Sequence, residues 1–388
     1  MKEKIRSLYD RFFTPAAALP AGIYQYQSPA EVTPPYRVHL RLEPDGMGLM
    51  IVNAHTVLHL NQTAAEFAYH LVKSTPPDQT IKAFTQRYRV SEQVATKDYE
   101  DFKERIHSLI VTPDLAPDTF LGFERLDPYS QDISAPYRLD CALTYRVDEE
   151  STPDTAPAER VKRELLTDEW KSILQKAWDA GIPHVVFTGG EPTLRPDLPD
   201  LITCTESIGM VCGLLTDGLR FSDPKYLHQL LQCGLDHLMI VLEPDEDQAW
   251  EALRDILAAD IFTTVHLTIT QKNAAQVPAL LDRLAGMGVN SLSLSTDDAA
   301  LKDTLKQATH LAADHGLTLV WDLPVPYGNM HPVAFELANH QELPQGAGKA
   351  WLYVEPDGDV LPAQGVTTVL GNLLSDPWDK IWKSRPSA

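Results

Sequence analysis

Between residues 137 and 325 short apolar stretches alternate with amphipathic ones in a fixed rhythm, and that rhythm leaves few folds open. Residues 183–187 (PHVVF), 211–215 (VCGLL) and 238–242 (LMIVL) are too short and too apolar for anything but buried strands. Residues 137–145, 263–269, 291–295 and 318–321 read the same way. Between them lie segments with helical spacing at 161–180, 198–208, 225–233, 248–258, 275–287 and 301–315. Strand–helix alternation with short loops gives parallel βαβ units with right-handed crossovers, hence an open sheet or a barrel. Six or more units in about 190 residues favour a partial (β/α)6 TIM-like barrel, whose chemistry sits in the loops after the strand C-termini.

The flanks follow other rules. Residues 36–42 and 47–52 are strand-like around Glu43-Pro44-Asp45-Gly46, a hairpin turn, and 55–60 is a third strand. Asn61 is a good N-cap, and 79–88 and 97–110 continue as amphipathic helices. Three strands and three helices over 36–112 predict a winged-helix-like α+β domain. Residues 345–388 predict a small hairpin around Pro356-Asp357-Gly358-Asp359 and a helix at 378–383. Pro-rich residues 1–35 read as an extended N-terminal arm and 113–136 as a linker. Residues 149–159 read as an acidic loop.

Charge narrows the partners. There are 33 Lys+Arg against 54 Asp+Glu, a net charge of −21. Nucleic acid and anionic membrane surfaces both call for basic patches, so neither is expected. No apolar run approaches the roughly 18 residues of a membrane span, and the N-terminus has no signal-peptide core, so a cytoplasmic location is expected. The cysteines are Cys141, Cys204, Cys212 and Cys233, with no C-x-x-C pair and no regular framework.

The chemistry-bearing motif is Thr188-Gly189-Gly190-Glu191-Pro192-Thr193-Leu194, directly after the second barrel strand. Paired glycines let a ligand approach the backbone, and Glu191 offers a carboxylate to an ammonium group. Thr216-Asp217-Gly218 ends the third strand, and residues 355–384 run EPDGDVLPA…LGNLLSDPWDKIWKS. On these residues the chain from about 137 to 388 resembles radical S-adenosylmethionine (SAM) enzymes of the peptide-modifying type with a SPASM-like C-terminal extension. Residues 36–110 resemble the small PQQ-biosynthesis-type peptide chaperone that recognises leader peptides. The resemblance implies a SAM site at Gly189, Gly190, Glu191, Pro192, Thr216, Asp217 and Glu243, with GGEP holding the amino group of SAM. It also implies a precursor or leader peptide bound at 36–112.

The sequence departs from that pattern as well. The family's C-x-x-x-C-x-x-C corresponds to Cys141, Tyr145 and Asp148, one thiol of three, and Ala363 follows Pro362 where the extension normally has cysteine. Val241-Leu242-Glu243-Pro244 stands where the family tends to read Ser-Leu-Asp-Gly. A lone thiolate is a poor site for a soft cluster. The sequence therefore leads us to expect no iron–sulfur cluster, with SAM binding left open. It favours a cluster-less pseudoenzyme or scaffold in a ribosomal-peptide maturation system, working beside a catalytically active partner enzyme. One alternative is a cluster-independent SAM-dependent transferase using Asp217, Glu243, Asp322 or His266, although His266 also reads as a packed core residue. A minor alternative is an active radical SAM enzyme with non-standard cluster ligands.

Overall fold

The computed structural model describes residues 19–29, 31–53, 56–112, 133–259, 261–321, 323–328 and 343–385. The chain divides into two units, Met1–Ser134 and Ala135–Ala388.

The first unit is a four-stranded antiparallel meander of β1 (Gly22–Gln27), β2 (Arg37–Leu42), β3 (Gly48–Val52) and β4 (Thr56–Leu60), followed by α1 (Gln62–Val72), α2 (Pro77–Arg87) and α3 (Glu92–Val111). The Asn61 side chain caps α1 by accepting from Ala64 N at 3.0 Å, and Ser91 caps α3 through Val94 N. One face of the sheet, with Leu40, Met50, Leu58 and Leu60, is buried against Phe67, Phe84, Tyr99 and Phe102 of the helices. Phe67 stacks on Phe84 at 4.2 Å. The sequence expectation needs one correction here: part of the supposed extended arm, Gly22–Gln27, is a strand paired along its whole length with β2. Its reason is the two-residue period of GIYQYQ, which turns Tyr24 onto Tyr69, ring edge to face at 4.9 Å. Proline on both sides hides that period. Most of the expected linker (113–136), and His55 of the third strand, lie outside the described residues.

The second unit holds a ten-stranded sheet. Its strands are β5 (Arg138–Thr144), β6 (His184–Gly189), β7 (Val211–Thr216), β8 (His237–Val241), β9 (Phe262–Ile269), β10 (Ser291–Thr296), β11 (Thr318–Leu319), β12 (Trp351–Val354), β13 (Asp359–Leu361) and β14 (Gly371–Asn372). The order β11-β10-β9-β8-β7-β6-β5-β12-β13-β14 is an open sheet, parallel from β11 to β12 and antiparallel beyond. The connecting helices are α4 (Thr167–Asp179), α5 (Leu198–Ile208), α6 (Pro224–Gln232), α7 (Asp247–Leu257), α8 (Val277–Gly286) and α9 (Lys302–Asp314), and α10 (Trp378–Lys383) ends the described chain. The expected helix over 161–180 begins only at Thr167, because Leu165 N bonds to Pro356 O at 2.8 Å and holds the preceding residues extended.

Alternation along the strands sorts the two faces. Leu139, Cys141, Leu143, Val185, Phe187, Leu214 and Ile240 share a core with residues of α4, α5 and α6. Leu352 and Val354 of β12 enter that same core, and β12 with the hairpin strand β13 continues the barrel sheet. The other face is mixed. Val186, Leu215 and Met239 form an apolar patch, while at the strand starts His184 and His237 meet Nε2 to Nε2 at 2.8 Å. Burial, assisted by the charge of Arg138, pushes His237 down to about 4.

Two outcomes follow. Leu352→Ala should destabilise the second unit by about 2–5 kcal/mol, the cost of a cavity in a shared core, measured by urea denaturation; an exposed tail would lose nothing. For His237 the unfolded chain, not the folded one, takes up a proton between pH 6.5 and about 4. Stability should therefore fall as pH drops through that window, by roughly 3 kcal/mol. His237→Gln should flatten the profile in denaturation curves recorded across it.

Candidate functional site

The glycine pair sits where β6 ends, and its first neighbour is the chain itself. A Cβ on Gly189, whose φ is +118°, would lie 2.1 Å from Thr144 O, and one on Gly190 would lie 2.2 Å from Arg146 O. Gly190 N donates to Thr144 O at 2.8 Å and Glu191 N to Arg146 O at 2.7 Å. The close approach anticipated for a ligand is thus made by the loop after β5, and only glycine permits it. Pro192 then opens a short 3-10 turn capped by Glu191.

Glu191 is 5% exposed. Its Oε1 accepts from Thr193 N (2.8 Å) and Thr193 Oγ1 (2.5 Å), its Oε2 from Asp217 N (2.9 Å), and Thr216 Oγ1 lies 2.9 Å from both. Four donors take up the lone pairs of one carboxylate. Asp217 stands beside it with Oδ1 accepting from Leu219 N at 2.9 Å. Burial first, then the Asp217 charge, pushes Glu191 up to about 8, and burial raises Asp217 as well. Among the described residues no lysine, arginine or histidine forms an ion pair with either. Glu243, half-buried after β8, is also raised, by burial and by its acidic neighbours including Asp217. The ends of β6, β7 and β8 thus gather Glu191, Asp217 and Glu243 into one acidic mouth.

Cys141, Tyr145 and Asp148 do not converge. Cys141 lies within β5, in the helix-facing core, where burial and Asp140 push its thiol up. A register shift between Ala142 and Thr144 turns Tyr145 to the other face, where its hydroxyl donates to Glu355 Oε1 at 2.9 Å. Asp148 is exposed and accepts from the backbone of Glu150 and Ser151. The acidic loop is pinned, not dangling: Arg160 reaches Glu355 Oε1 at 2.5 Å and Thr155 Oγ1 reaches Gly328 O at 3.0 Å. Tyr145, Tyr327 and Tyr353 pack together beside it.

His266 is buried within β9, with Ser293 Oγ 2.9 Å from Nδ1 and Ser295 Oγ 3.0 Å from Nε2, which matches its reading as a packed residue. Asp322 lies outside the described residues. Sequence reasoning missed Thr193, which binds Glu191 twice, and Arg160 and Tyr327. Only the threonine carried a signal, by lying two residues beyond the acid.

With this geometry in hand, comparison with known proteins gives one direct result. Residues 141–258 match the family model of the Radical SAM superfamily. The chain is similar to the PqqA peptide cyclase of Streptomyces rochei, 28% identical over 64% of this chain and 76% of that protein. It is 26% identical to the PqqA peptide cyclase of Gluconobacter oxydans (strain 621H), over 65% and 78%. Among solved structures, Streptococcus suis SuiB bound to S-adenosylmethionine shares the fold with a TM-score of 0.57 and 14% identity, over 92% of this chain and 88% of that one. SuiB bound to its precursor peptide SuiA gives 0.55 and 14%, over 89% and 87%.

These matches correct two expectations. The expectation of a non-catalytic scaffold is overturned: the superfamily match, and relatives named as peptide cyclases, point to enzymes and not to a scaffold. The expectation of no iron–sulfur cluster gives way likewise, since the superfamily match points to SAM used together with a cluster. The cysteines described here do not themselves gather into a ligand set for one. Cys141 and Cys212 are buried in strands, and Cys204 and Cys233 lie on and just after helices of the outer layer.

The raised Glu191 gives a pH signature. The folded state holds its proton more tightly than the unfolded chain, so wild-type stability should fall as pH rises from about 4.5 through about 8. Glu191→Gln removes that group. Denaturation at about pH 5 and about pH 9 should show the variant gaining on the wild type at the higher pH; an unchanged difference would place the charge elsewhere.

Proposed function

We propose that this chain is a SAM-binding enzyme of the radical SAM type that modifies a peptide. The observation that carries the reading is the buried Glu191–Asp217 pair without a cationic partner among the described residues. Two carboxyls at the mouth of a parallel sheet favour a ligand that brings positive charge, and SAM brings two, an ammonium and a sulfonium. The ammonium takes the place of a hydroxyl donor, Thr193 or Thr216, either of which can rotate away while the backbone N–H of Asp217 keeps its bond. Binding then deprotonates Glu191, because the incoming cation stabilises the carboxylate. Glu243 adds negative potential from β8. When bound, SAM would supply a sulfonium whose carbon–sulfur bond breaks on one-electron reduction.

The peptide part rests on the first unit. In our reading residues 36–112 act as a winged-helix-like recognition domain. The margins of its sheet are β1 and β4, and each presents a strand edge to which an extended precursor can be added. The relatives named for a peptide substrate, and SuiB seen with its precursor, support this choice over a small-molecule substrate.

The test is a thermal-shift titration of the full chain with SAM and with S-adenosylhomocysteine. At one hundred times the dissociation constant, either should stabilise the protein by about 2.7 kcal/mol. Glu191→Gln should remove most of that gain, whereas Cys204→Ser, on the outer helix α5, should leave it intact. No stabilisation of the wild type by either compound would refute the assignment.

A further inference from the structure

Residues 323–328, Leu-Pro-Val-Pro-Tyr-Gly, follow β11 without extending the sheet. Pro324 and Pro326 have no amide hydrogen for a ladder, so the segment crosses as a strap. It lies on the face turned away from the helices. Leu323 packs against Val186, Leu215 and Met239 of β6, β7 and β8. Val325 O accepts from Gln364 Nε2 at 2.8 Å. Tyr327 N donates to Gly189 O at 2.6 Å, so the strap is bonded to the glycine pair itself. The Tyr327 ring meets Tyr145 edge to face at 5.2 Å, in the cluster with Ala142, Tyr353 and Leu361.

The strap's surroundings are not fully satisfied. Thr188 Oγ1 and Gln364 Oε1 are buried and have no hydrogen-bond partner among the described residues. Thr188 is 0% exposed and Gln364 is 8%. Folded interiors pair nearly all such atoms, and two orphans beside one short segment need a reason. The strap offers one: its two prolines carry no N–H groups of the kind an ordinary extended chain would present.

We infer that this seat is a peptide-binding subsite and that residues 323–328 are its internal occupant. An extended stretch of substrate peptide displaces the strap. It carries an aliphatic side chain where Leu323 sits and an aromatic one four residues on. It has free amide hydrogens at the positions of Pro324 and Pro326, which Thr188 and Gln364 accept. The inference rests on the reading of the chain as a peptide-modifying enzyme and adds where the substrate lies.

Two measurements on the full-length protein test it. In native-state hydrogen exchange the Tyr327 amide should exchange at least about 100-fold faster than those of Val186 and Leu215, as a displaceable segment opens below the global unfolding energy. Exchange in step with those strands would overturn the idea. A fluorescently labelled synthetic peptide, Leu-Ala-Val-Ala-Tyr-Gly, restores the two amides. It should bind at least about tenfold tighter than Leu-Pro-Val-Pro-Tyr-Gly and speed Tyr327 exchange. Thr188→Val, close to isosteric, should weaken the alanine peptide while leaving the melting temperature and SAM stabilisation in place. Equal binding of the two peptides, no binding of either, or indifference to Thr188→Val would each refute the subsite. Failure here with SAM stabilisation retained removes this inference alone; loss of SAM stabilisation in the wild type removes the broader reading.

Discussion

The second unit turns on a backbone interlock. The carbonyls of Thr144 and Arg146 press into the space where Gly189 and Gly190 lack side chains, and they accept the amides of Gly190 and Glu191. Backbone meeting backbone at this distance admits no rotamer adjustment, so the loop after β5 and the turn after β6 are positioned as one piece. Glu191 inherits its place from that piece, and Thr216 and Asp217 of the next strand close around its carboxyl. The site is therefore built by strand neighbours before any ligand is considered.

That construction explains why the two faces of one sheet have such different chemistry. The helix-facing side is a continuous apolar core, and its cysteine thiol is an ordinary small filler held far from ionisation. The opposite side holds the groups whose protonation is shifted most usefully: Glu191 and Asp217 at one end of the strands, His237 at the other. Both ends owe their shifts mainly to burial, with opposite sign because one group is an acid and the other a base.

Much of this was legible in the chain itself. Runs such as VCGLL and LMIVL are unambiguous because a fully buried parallel strand tolerates little polarity on either face. The motif at Gly189–Pro192 was legible too, since paired glycines at a strand end mark a close approach to the backbone. What could not be read is what the glycines touch. Periodicity shows that Gly190 needs space and is silent on whether a ligand or Arg146 fills it. The strand at Gly22–Gln27 was lost because proline-rich flanks outweigh a six-residue alternation. The position of β12 was lost because parallel pairing with β5, more than two hundred residues earlier, leaves no local trace. The directions of the side chains around Cys141 and Tyr145 were hidden for a third reason. A one-residue register shift between Ala142 and Thr144 changes which side chains share a face, and nothing in RLDCALT announces it.

The two sheets also differ in how they end. The large one finishes on strands of two residues at both margins, Thr318–Leu319 and Gly371–Asn372, while the small one finishes on strands of six and five. A two-residue margin offers too few unpaired amides and carbonyls to template another strand. A chain with −21 net charge and such blunt margins is protected against stacking sheet to sheet with its own copies, even though its barrel strands are as apolar as those of many aggregation-prone segments. The first unit's sheet keeps margins long enough to accept another strand, so the two sheets of one chain differ in how open they are to edge-to-edge pairing.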